Sequence, residues 1–147
     1  MADKNRVLFF DDDPFISKTL VDTLELLGWD VTLISEIDDL FIKLNSILQF
    51  DVIILDIMAP IPQADSGYVK FTKKEINEMN DGLNTGVVAT KKIWQMEKYK
   101  NTPILFLSIA KDPRFENPEL QNDKCDYLRK PEKARTIGER LINLLNI

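Results

Sequence analysis

Two short segments of the chain are apolar at every interior position, and they restrict the fold more than any other feature. They are DVIILD at 51–56 and PILFLS at 103–108. A strand with apolar side chains on both faces must be covered on both faces, which is typical of the centre of a parallel sheet. Shorter apolar runs predict three further strands, at 7–10, 29–34 and 125–128. Because helix-period segments separate these strands, we predict an α/β fold: a doubly wound, five-stranded parallel sheet with helices on both faces.

The first connecting segment carries clear signals of a helix. Pro14 directly behind Asp13 predicts a helix start with Asp13 as its N-terminal cap, and Gly28 predicts its end. The expected inner face of this helix consists of five apolar residues: Phe15, Ile16, Leu20, Leu24 and Leu27.

Three more helices are predicted farther along the chain. Ser35 with Asp38 resembles a helix cap, and the helix that follows has an expected inner face of Leu40, Phe41, Leu44, Ile47 and Leu48. Apolar positions at helical spacing predict another helix at about 86–99 and a closing helix at 132–146.

Two stretches interrupt the alternation of strands and helices. Residues 61–85 are too long for a strand-to-helix connection and are interpreted as an insertion. Within it, Thr72 and Glu75 form a capping-box pattern that predicts a short helix at 73–80. Two prolines in the segment 111–122 predict that the fourth helix of the fold is short or broken.

Length and composition exclude several classes of protein. The 147 residues fit a single domain, 1–147, that contains the insertion. A net charge of −5 without a long basic stretch argues against direct binding of nucleic acid. We find no signal peptide and no apolar run long enough for a bilayer, so we expect a cytoplasmic location and no membrane insertion. The chain has no histidine and one cysteine, so its chemistry depends on carboxylates, hydroxyls, lysines and a hard metal ion.

Polar residues follow the predicted strands where each strand ends. Asp11 and Asp12 follow the first strand, Asp56 ends the third, Ser108 ends the fourth, and Lys130 follows the fifth. In open α/β sheets, sites form outside the carboxyl ends of the strands. If the three carboxylates share one pocket, a single lysine cannot balance them, and ligation by oxygen alone suits Mg²⁺.

Four segments, FFDDDP, IILDIMAP, LFLS and YLRKP, occur in the order and at the strand ends found in one family. With them the chain resembles the response-regulator receiver domain of two-component signalling, over essentially its whole length except the insertion. The resemblance implies a flavodoxin-like sheet with strand order 2-1-3-4-5. It also implies a protein that is phosphorylated and dephosphorylated on an aspartate rather than an ordinary enzyme.

The resemblance assigns roles to the acidic residues and their neighbours. It implies that Asp56 is the phosphoacceptor. Asp12 and Asp56 would bind Mg²⁺ directly together with the backbone carbonyl of Met58, and Asp11 would act mainly through a bound water. Because the chain lacks histidine, the phosphoryl donor would be a histidine kinase, a phosphotransfer protein or a small acyl phosphate.

Further roles concern activation. The resemblance implies that Lys130 neutralises the phosphoryl oxygens and that its peptide bond to Pro131 is cis. Ser108 would hydrogen-bond a phosphoryl oxygen, and Tyr127 would be the aromatic residue that moves inward with it. The output would be an altered contact with an unknown downstream protein, or transfer of the phosphoryl group onward. Because the insertion at 61–85 follows directly from the segment Asp56–Met58, we expect it to contribute to partner recognition or to gate access to Asp56; the alternative is a surface elaboration without a role.

The sequence departs from the family in four places. The glycine expected soon after the phosphoacceptor loop corresponds to Gly86, after an insertion of about twenty residues. Ile109 stands where a small residue is usual and could crowd the site, Glu132 stands where an apolar residue is commoner, and the fourth helix is interrupted.

Other interpretations remain open from the sequence. Asp11 and Asp13 also satisfy the first motif of a haloacid-dehalogenase-like phosphatase, in which Asp11 would be the nucleophile. A non-phosphorylated pseudo-receiver adaptor would keep the fold without the reaction. The acids at 11–13 could also form a solvated turn, Ser108 could be a plain strand-end hydroxyl, and Tyr127 could be a packed core residue.

Overall fold

Five parallel strands form a sheet in a computed structural model that describes residues 4–62 and 70–146. The strand order is β2-β1-β3-β4-β5, which confirms the predicted doubly wound topology. The strands are β1 (Arg6–Phe10), β2 (Asp30–Ile34), β3 (Val52–Leu55), β4 (Ile104–Ser108) and β5 (Cys125–Arg129).

Helices connect the strands on both faces of the sheet. They are α1 (Pro14–Leu26), α2 (Ile37–Leu44), α3 (Lys73–Glu78), α4 (Thr85–Trp94) and α5 (Ala134–Leu145), with 3₁₀ turns at Glu97–Tyr99, Pro113–Glu116 and Pro118–Leu120. The last two turns replace the fourth helix of the fold, as the prolines predicted. Among the described residues, no helix is long and apolar enough to cross a membrane.

The two faces of the central strand β3 pack into different hydrophobic clusters. Ile53 and Leu55 pack with α2 and α4, whereas Val52 and Ile54 pack with α1 and α5. All four side chains are fully buried. This two-sided burial is the reason that the strand is apolar at every position.

The predicted inner face of α1 is wrong at three of its five positions. Phe15, Ile16 and Leu27 are 90%, 72% and 53% exposed. The residues that α1 buries are Ser17, Val21 and Leu24. The buried stripe has helical spacing, but its first position is a serine because the N-terminal turn of α1 faces a carboxylate rather than the apolar core.

The predicted extent of α2 is also wrong. The helix ends at Leu44, and Ile47 is fully exposed beyond it. The side chains of Asn45 and Ser46 bond to carbonyl oxygens in the last turn of α2, which favours ending the helix there. The predicted cap pair Ser35 and Asp38 is absent because Glu36 is the cap residue and makes no side-chain cap bond.

The other two helices predicted by periodicity have different bounds. The helix expected at about 86–99 ends at Trp94, and the remainder is a turn followed by the 3₁₀ segment Glu97–Tyr99. The closing helix begins at Ala134 rather than at 132.

The described part of the insertion packs between α2 and α4. Its helix α3 begins with the predicted capping box between Thr72 and Glu75. The Phe71 ring meets the Phe41 ring edge-on at 5.9 Å between centroids, and Lys92 Nζ lies 4.9 Å from the centre of the Phe71 ring. Lys92 also pairs with Glu75 at 3.2 Å. Residues 63–69 of the predicted insertion lie outside the described residues.

Gly86, in the first turn of α4, allows this helix to approach the end of β3. A Cβ atom at this position would lie 2.1 Å from the Asp56 carbonyl oxygen and 2.9 Å from Ile57 Cα. The Gly86 N–H donates to the Ile57 carbonyl at 2.8 Å. The glycine expected after the insertion therefore serves a close contact between two backbones.

We predict that Gly86→Ala lowers the free energy of unfolding by about 1–3 kcal/mol or more, because backbone atoms cannot move aside as a flexible side chain can. Urea unfolding followed by circular dichroism measures the change. The control is Gly138→Ala in α5, where the added Cβ would approach only Trp29 Nε1, at 3.3 Å. Equal losses in the two variants would contradict the proposed reason for Gly86.

Candidate functional site

The pairing of β1 with β3 brings two aspartates together at one edge of the sheet. Phe10 pairs with Leu55, so Asp11 and Asp56 follow at neighbouring positions. The Asp56 N–H donates to the Phe10 carbonyl at 3.0 Å, and the Asp11 N–H donates to the Ile34 carbonyl at 3.0 Å. The backbones that carry the two acids are therefore fixed by hydrogen bonds to neighbouring strands.

Three carboxylates converge at this edge. One carboxylate oxygen from each of Asp11, Asp12 and Asp56 lies within 4.8 Å of the others. Asp11 and Asp56 are 1% and 6% exposed, whereas Asp12 is open to solvent. Partial burial raises the pKa of Asp12 above its ordinary value, and the charges of Asp56 and Asp11 raise this pKa further.

Lys130 supplies the cation that joins the two buried acids. Its Nζ lies 2.5 Å from Asp11 Oδ2 and 3.0 Å from Asp56 Oδ2. Burial alone would lower the pKa of Lys130, but the hydrogen bonds to Asp11 and Asp56 outweigh this effect and raise it. The Lys130 N–H donates to the Ser108 carbonyl, and the peptide bond to Pro131 is cis, as the resemblance implied.

The donor set of this pocket fits a hard divalent cation. One lysine faces three carboxylates, so negative charge remains uncompensated. The donors are oxygens, which Mg²⁺ prefers in proteins. Asp12 is the solvent-exposed member of this donor set.

The end of β4 and the loop after β3 complete the surroundings of Asp56. Ser108 is fully buried, and its hydroxyl donates to Asp56 Oδ1 at 2.7 Å. The Met58 N–H donates to the same oxygen at 3.3 Å. Oδ1 therefore accepts from Ser108 and Met58, whereas Oδ2 faces Lys130.

Tyr127 connects to this site through the loop after β4. The Ala110 N–H donates to Ser108 Oγ at 3.2 Å, and the half-buried Tyr127 hydroxyl donates to the Ala110 carbonyl. Ile109, which lies between Ser108 and Ala110 in the chain, is 62% exposed. Ser108 and Tyr127 therefore bind the two polar groups of one residue, Ala110.

Asp13 does not share the geometry of the other acids. Its carboxylate accepts from the Ile16 N–H at 3.3 Å, which confirms the predicted N-terminal cap of α1. Its own N–H donates to Asp11 Oδ1 at 2.9 Å. The third acid of the DDD segment thus orients the first through its backbone.

Ser17 is a site residue that the sequence analysis missed. It is buried in α1, and its hydroxyl donates to Asp11 Oδ2 at 2.8 Å. The available signal was a serine in helical register with Val21 and Leu24, at the position of the stripe nearest the strand end. A polar residue at the start of an otherwise apolar stripe indicates a polar neighbour.

Comparison with known proteins supports the fold. No family model matches the sequence. Protein RcaC of Microchaete diplosiphon is 25% identical over 141 residues, which make up 96% of this chain and 18% of that protein. The chain therefore spans less than a fifth of the relative's length.

Solved structures of receiver domains superpose over almost the whole chain. The receiver domain of the Francisella response regulator 1452 is 23% identical, covers 97% of this chain and 98% of its own, and gives a TM-score of 0.68. The chemotaxis response regulator CheY4 of Vibrio cholerae is 23% identical, with coverage of 96% and 98% and a TM-score of 0.69. A receiver domain protein from Clostridium thermocellum is 19% identical, with coverage of 97% and 94% and a TM-score of 0.67. The predicted resemblance is confirmed in the fold.

We predict that Ser17→Ala lowers the free energy of unfolding by about 1–2 kcal/mol, because the buried Asp11 carboxylate loses one of its donors. The matched control is Thr23→Ala in the same helix, whose exposed hydroxyl bonds only to the Thr19 carbonyl. We expect the control to change stability by less than about 0.5 kcal/mol. Urea unfolding of both variants measures the difference, and similar values would contradict a special role for Ser17.

We predict that, in chelator at neutral pH, Asp12→Asn is as stable as the parent or more stable. The gain in free energy of unfolding should be less than about 1 kcal/mol, because water screens the exposed carboxylate. A pKa raised in the folded state means that ionised Asp12 opposes folding. The gain should therefore be present above this raised pKa and disappear below the ordinary value of 3.8.

Thermal unfolding across this pH range is the measurement for Asp12→Asn. The control is Asp13→Asn, which keeps a good cap residue and removes a charge outside the three-carboxylate cluster. A clear loss of stability in Asp12→Asn at neutral pH would mean that this carboxylate supports the fold.

Proposed function

Because the chain has the fold of response regulator receiver domains, we propose that it is a phosphoacceptor protein of a two-component or phosphorelay system. Phosphorylation of Asp56, dependent on Mg²⁺, would switch its contacts with other proteins. The observation that carries the proposal is the environment of the Asp56 carboxylate. One of its oxygens accepts a hydrogen bond from Ser108 and the other from Lys130, and the carboxylates of Asp11 and Asp12 lie beside it.

The phosphoryl transfer follows from the groups around Asp56. A carboxylate oxygen attacks the phosphorus of the donor, and the bond from phosphorus to the donor's imidazole nitrogen or acyl oxygen breaks. The electron pair of that bond leaves with the donor. Lys130 stays protonated because of its raised pKa, so its ammonium can face the negative phosphoryl oxygens. The Ser108 hydroxyl, which now donates to Asp56 Oδ1, is in place to donate to a phosphoryl oxygen instead.

The metal would be held by this chain's oxygen donors. Asp12, Asp56 and the Met58 carbonyl would bind Mg²⁺ directly, and Asp11 would act through a water. When bound, the ion supplies positive charge that the single lysine cannot provide. Asp11 itself is occupied by three donors, Lys130, Ser17 and the Asp13 N–H, which agrees with an indirect role.

The switch would pass from the phosphoryl group to the surface through the loop after β4. A Ser108 hydroxyl that turns to the phosphoryl group releases Asp56 and changes its contact with Ala110, to which Tyr127 is also bonded. The donor would be a histidine kinase, a phosphotransfer protein or a small acyl phosphate, and the receiver of the signal a downstream protein. A cytoplasmic location stays a prediction.

The geometry favours neither of the other two interpretations. In a haloacid-dehalogenase-like phosphatase, Asp11 would be the nucleophile and Asp13 the second acid. Here Asp13 caps α1, and the Asp11 carboxylate is bonded to three donors. A pseudo-receiver would not need the complete set of Asp11, Asp12, Asp56 and Lys130 that the pocket contains.

We predict that the protein gains a single phosphoryl group when incubated with acetyl phosphate and Mg²⁺, and that Asp56→Asn does not. Intact mass spectrometry measures the adduct. Chelation of Mg²⁺ should prevent its formation, because three carboxylates repel an anionic donor. Asp13→Asn serves as the matched acid-to-amide control and should still be phosphorylated.

The same variants separate the proposal from the phosphatase interpretation. A nucleophilic Asp11 would give an adduct that survives Asp56→Asn and is lost in Asp11→Asn or Asp13→Asn. A parent protein that remains unmodified at millimolar acetyl phosphate, or an adduct retained in Asp56→Asn, would overturn the proposed function.

A further inference from the structure

The loop after β3 is bonded on both sides of Met58 by one segment at the end of the insertion. This segment, 80–86, is called the clamp. The Ala59 N–H donates to the Gly82 carbonyl at 3.0 Å, and the Ala59 carbonyl accepts from Thr85 Oγ1 at 2.6 Å. On the other side, the Ile57 carbonyl accepts from the Gly86 N–H at 2.8 Å.

These bonds leave one carbonyl of the loop available. The carbonyls of Ile57 and Ala59 are both bonded to the clamp. Within residues 4–62 and 70–146, no hydrogen bond reaches the Met58 carbonyl. The Met58 N–H donates to Asp56 Oδ1. The direction of the Met58 carbonyl therefore depends on Ile57 and Ala59, which the clamp holds on either side.

The clamp is itself held by backbone hydrogen bonds: the Gly82 N–H donates to the Met79 carbonyl at 3.1 Å, and the Leu83 N–H donates to the Asn80 carbonyl at 3.0 Å. Asn80, Asp81 and Gly82 have positive φ angles of 49°, 55° and 95°. A Cβ at Gly82 would lie 2.7 Å from the Ala59 carbonyl oxygen. Thr85 is fully buried, so its hydroxyl has no competing water. Residues of the same loop and of the clamp line a shallow, open surface depression together with Asp12.

We propose that Thr85 is a positioning residue for the metal site: its hydroxyl holds the Ala59 carbonyl so that the Met58 carbonyl stays available beside Asp12 and Asp56. This inference rests on the proposed function, since it assigns the clamp a part in Mg²⁺ binding. The competing interpretation is that Thr85 is a buried threonine whose bond to Ala59 contributes stability alone.

The test compares Mg²⁺ affinity in Thr85→Val, which keeps the shape and removes the hydroxyl, with Thr85→Ser, which keeps the hydroxyl. Isothermal titration calorimetry measures the affinity, and melting temperature in chelator measures stability. We expect Thr85→Val to bind Mg²⁺ about tenfold more weakly, the lower end of the effect of outer-shell partners. Thr85→Ser should bind as the parent does.

The matched control is Thr90→Val in the same helix. Thr90 is also fully buried, and its hydroxyl donates at 2.9 Å to the Gly86 carbonyl one turn earlier in α4, so this bond stays within the helix and does not reach the loop after β3. Its replacement should lower the melting temperature as Thr85→Val does and leave Mg²⁺ affinity unchanged. Parental affinity in Thr85→Val, or an equal loss in Thr90→Val, would overturn the inference.

A second pair of variants tests the clamp through a different contact if Thr85→Val does not fold. Gly82 and Gly28 have similar φ angles, 95° and 104°, but only Gly82 faces the loop, and nothing lies within 4 Å of a Cβ at Gly28. Alanine should strain both backbones, and only Gly82→Ala should weaken Mg²⁺ binding. Equal affinities would contradict the inference. Failure of the parent itself to bind Mg²⁺ would instead overturn the proposed function, and the inference with it.

Discussion

The ammonium group of Lys130 lies between two aspartates that are almost completely buried, 2.5 Å from Asp11 and 3.0 Å from Asp56. Two like charges at this depth would repel strongly, since little water is present to screen them. The lysine comes from the loop after β5, far along the chain from either acid. The carboxyl-terminal edge of the sheet therefore depends on β5 and its loop being in place, which couples the site to the complete fold.

Much of the fold and of the site follows from the sequence because both depend on β-strands buried on two faces. A segment such as 52–55 can be apolar throughout only at the centre of a covered sheet. The end of such a strand is marked by the first charged residue, so the positions of Asp11 and Asp56 could be predicted without knowing any contact. Strand order and residue roles came from the resemblance, and only the order is confirmed by the structure.

The helices were less predictable because their apolar residues do not all face the core. Phe15 and Ile16 fit a helical pattern, yet they are exposed, while Ser17 is buried against Asp11. Hydrophobicity alone assigns a serine to the surface, and only the neighbouring carboxylate gives it a reason to be inside. The end of α2 depends on the side chains of Asn45 and Ser46, which bond to carbonyl oxygens of the helix. Such side-chain bonds compete with continuation of the helix, and the spacing of apolar residues does not predict them.

The position of the insertion in the chain explains how a long inserted segment can leave the acidic pocket intact. The entropic cost of closing a loop grows only with the logarithm of its length, so extra residues weaken a site mainly by loosening its anchors. Here the anchors Gly82, Thr85 and Gly86 come after most of the insertion and bond directly to the loop that follows β3. Phe71, which comes before those anchors in the chain, also holds the insertion by packing against Phe41 of α2 and Lys92 of α4. The backbone that follows Asp56 is therefore held by residues that come after most of the insertion.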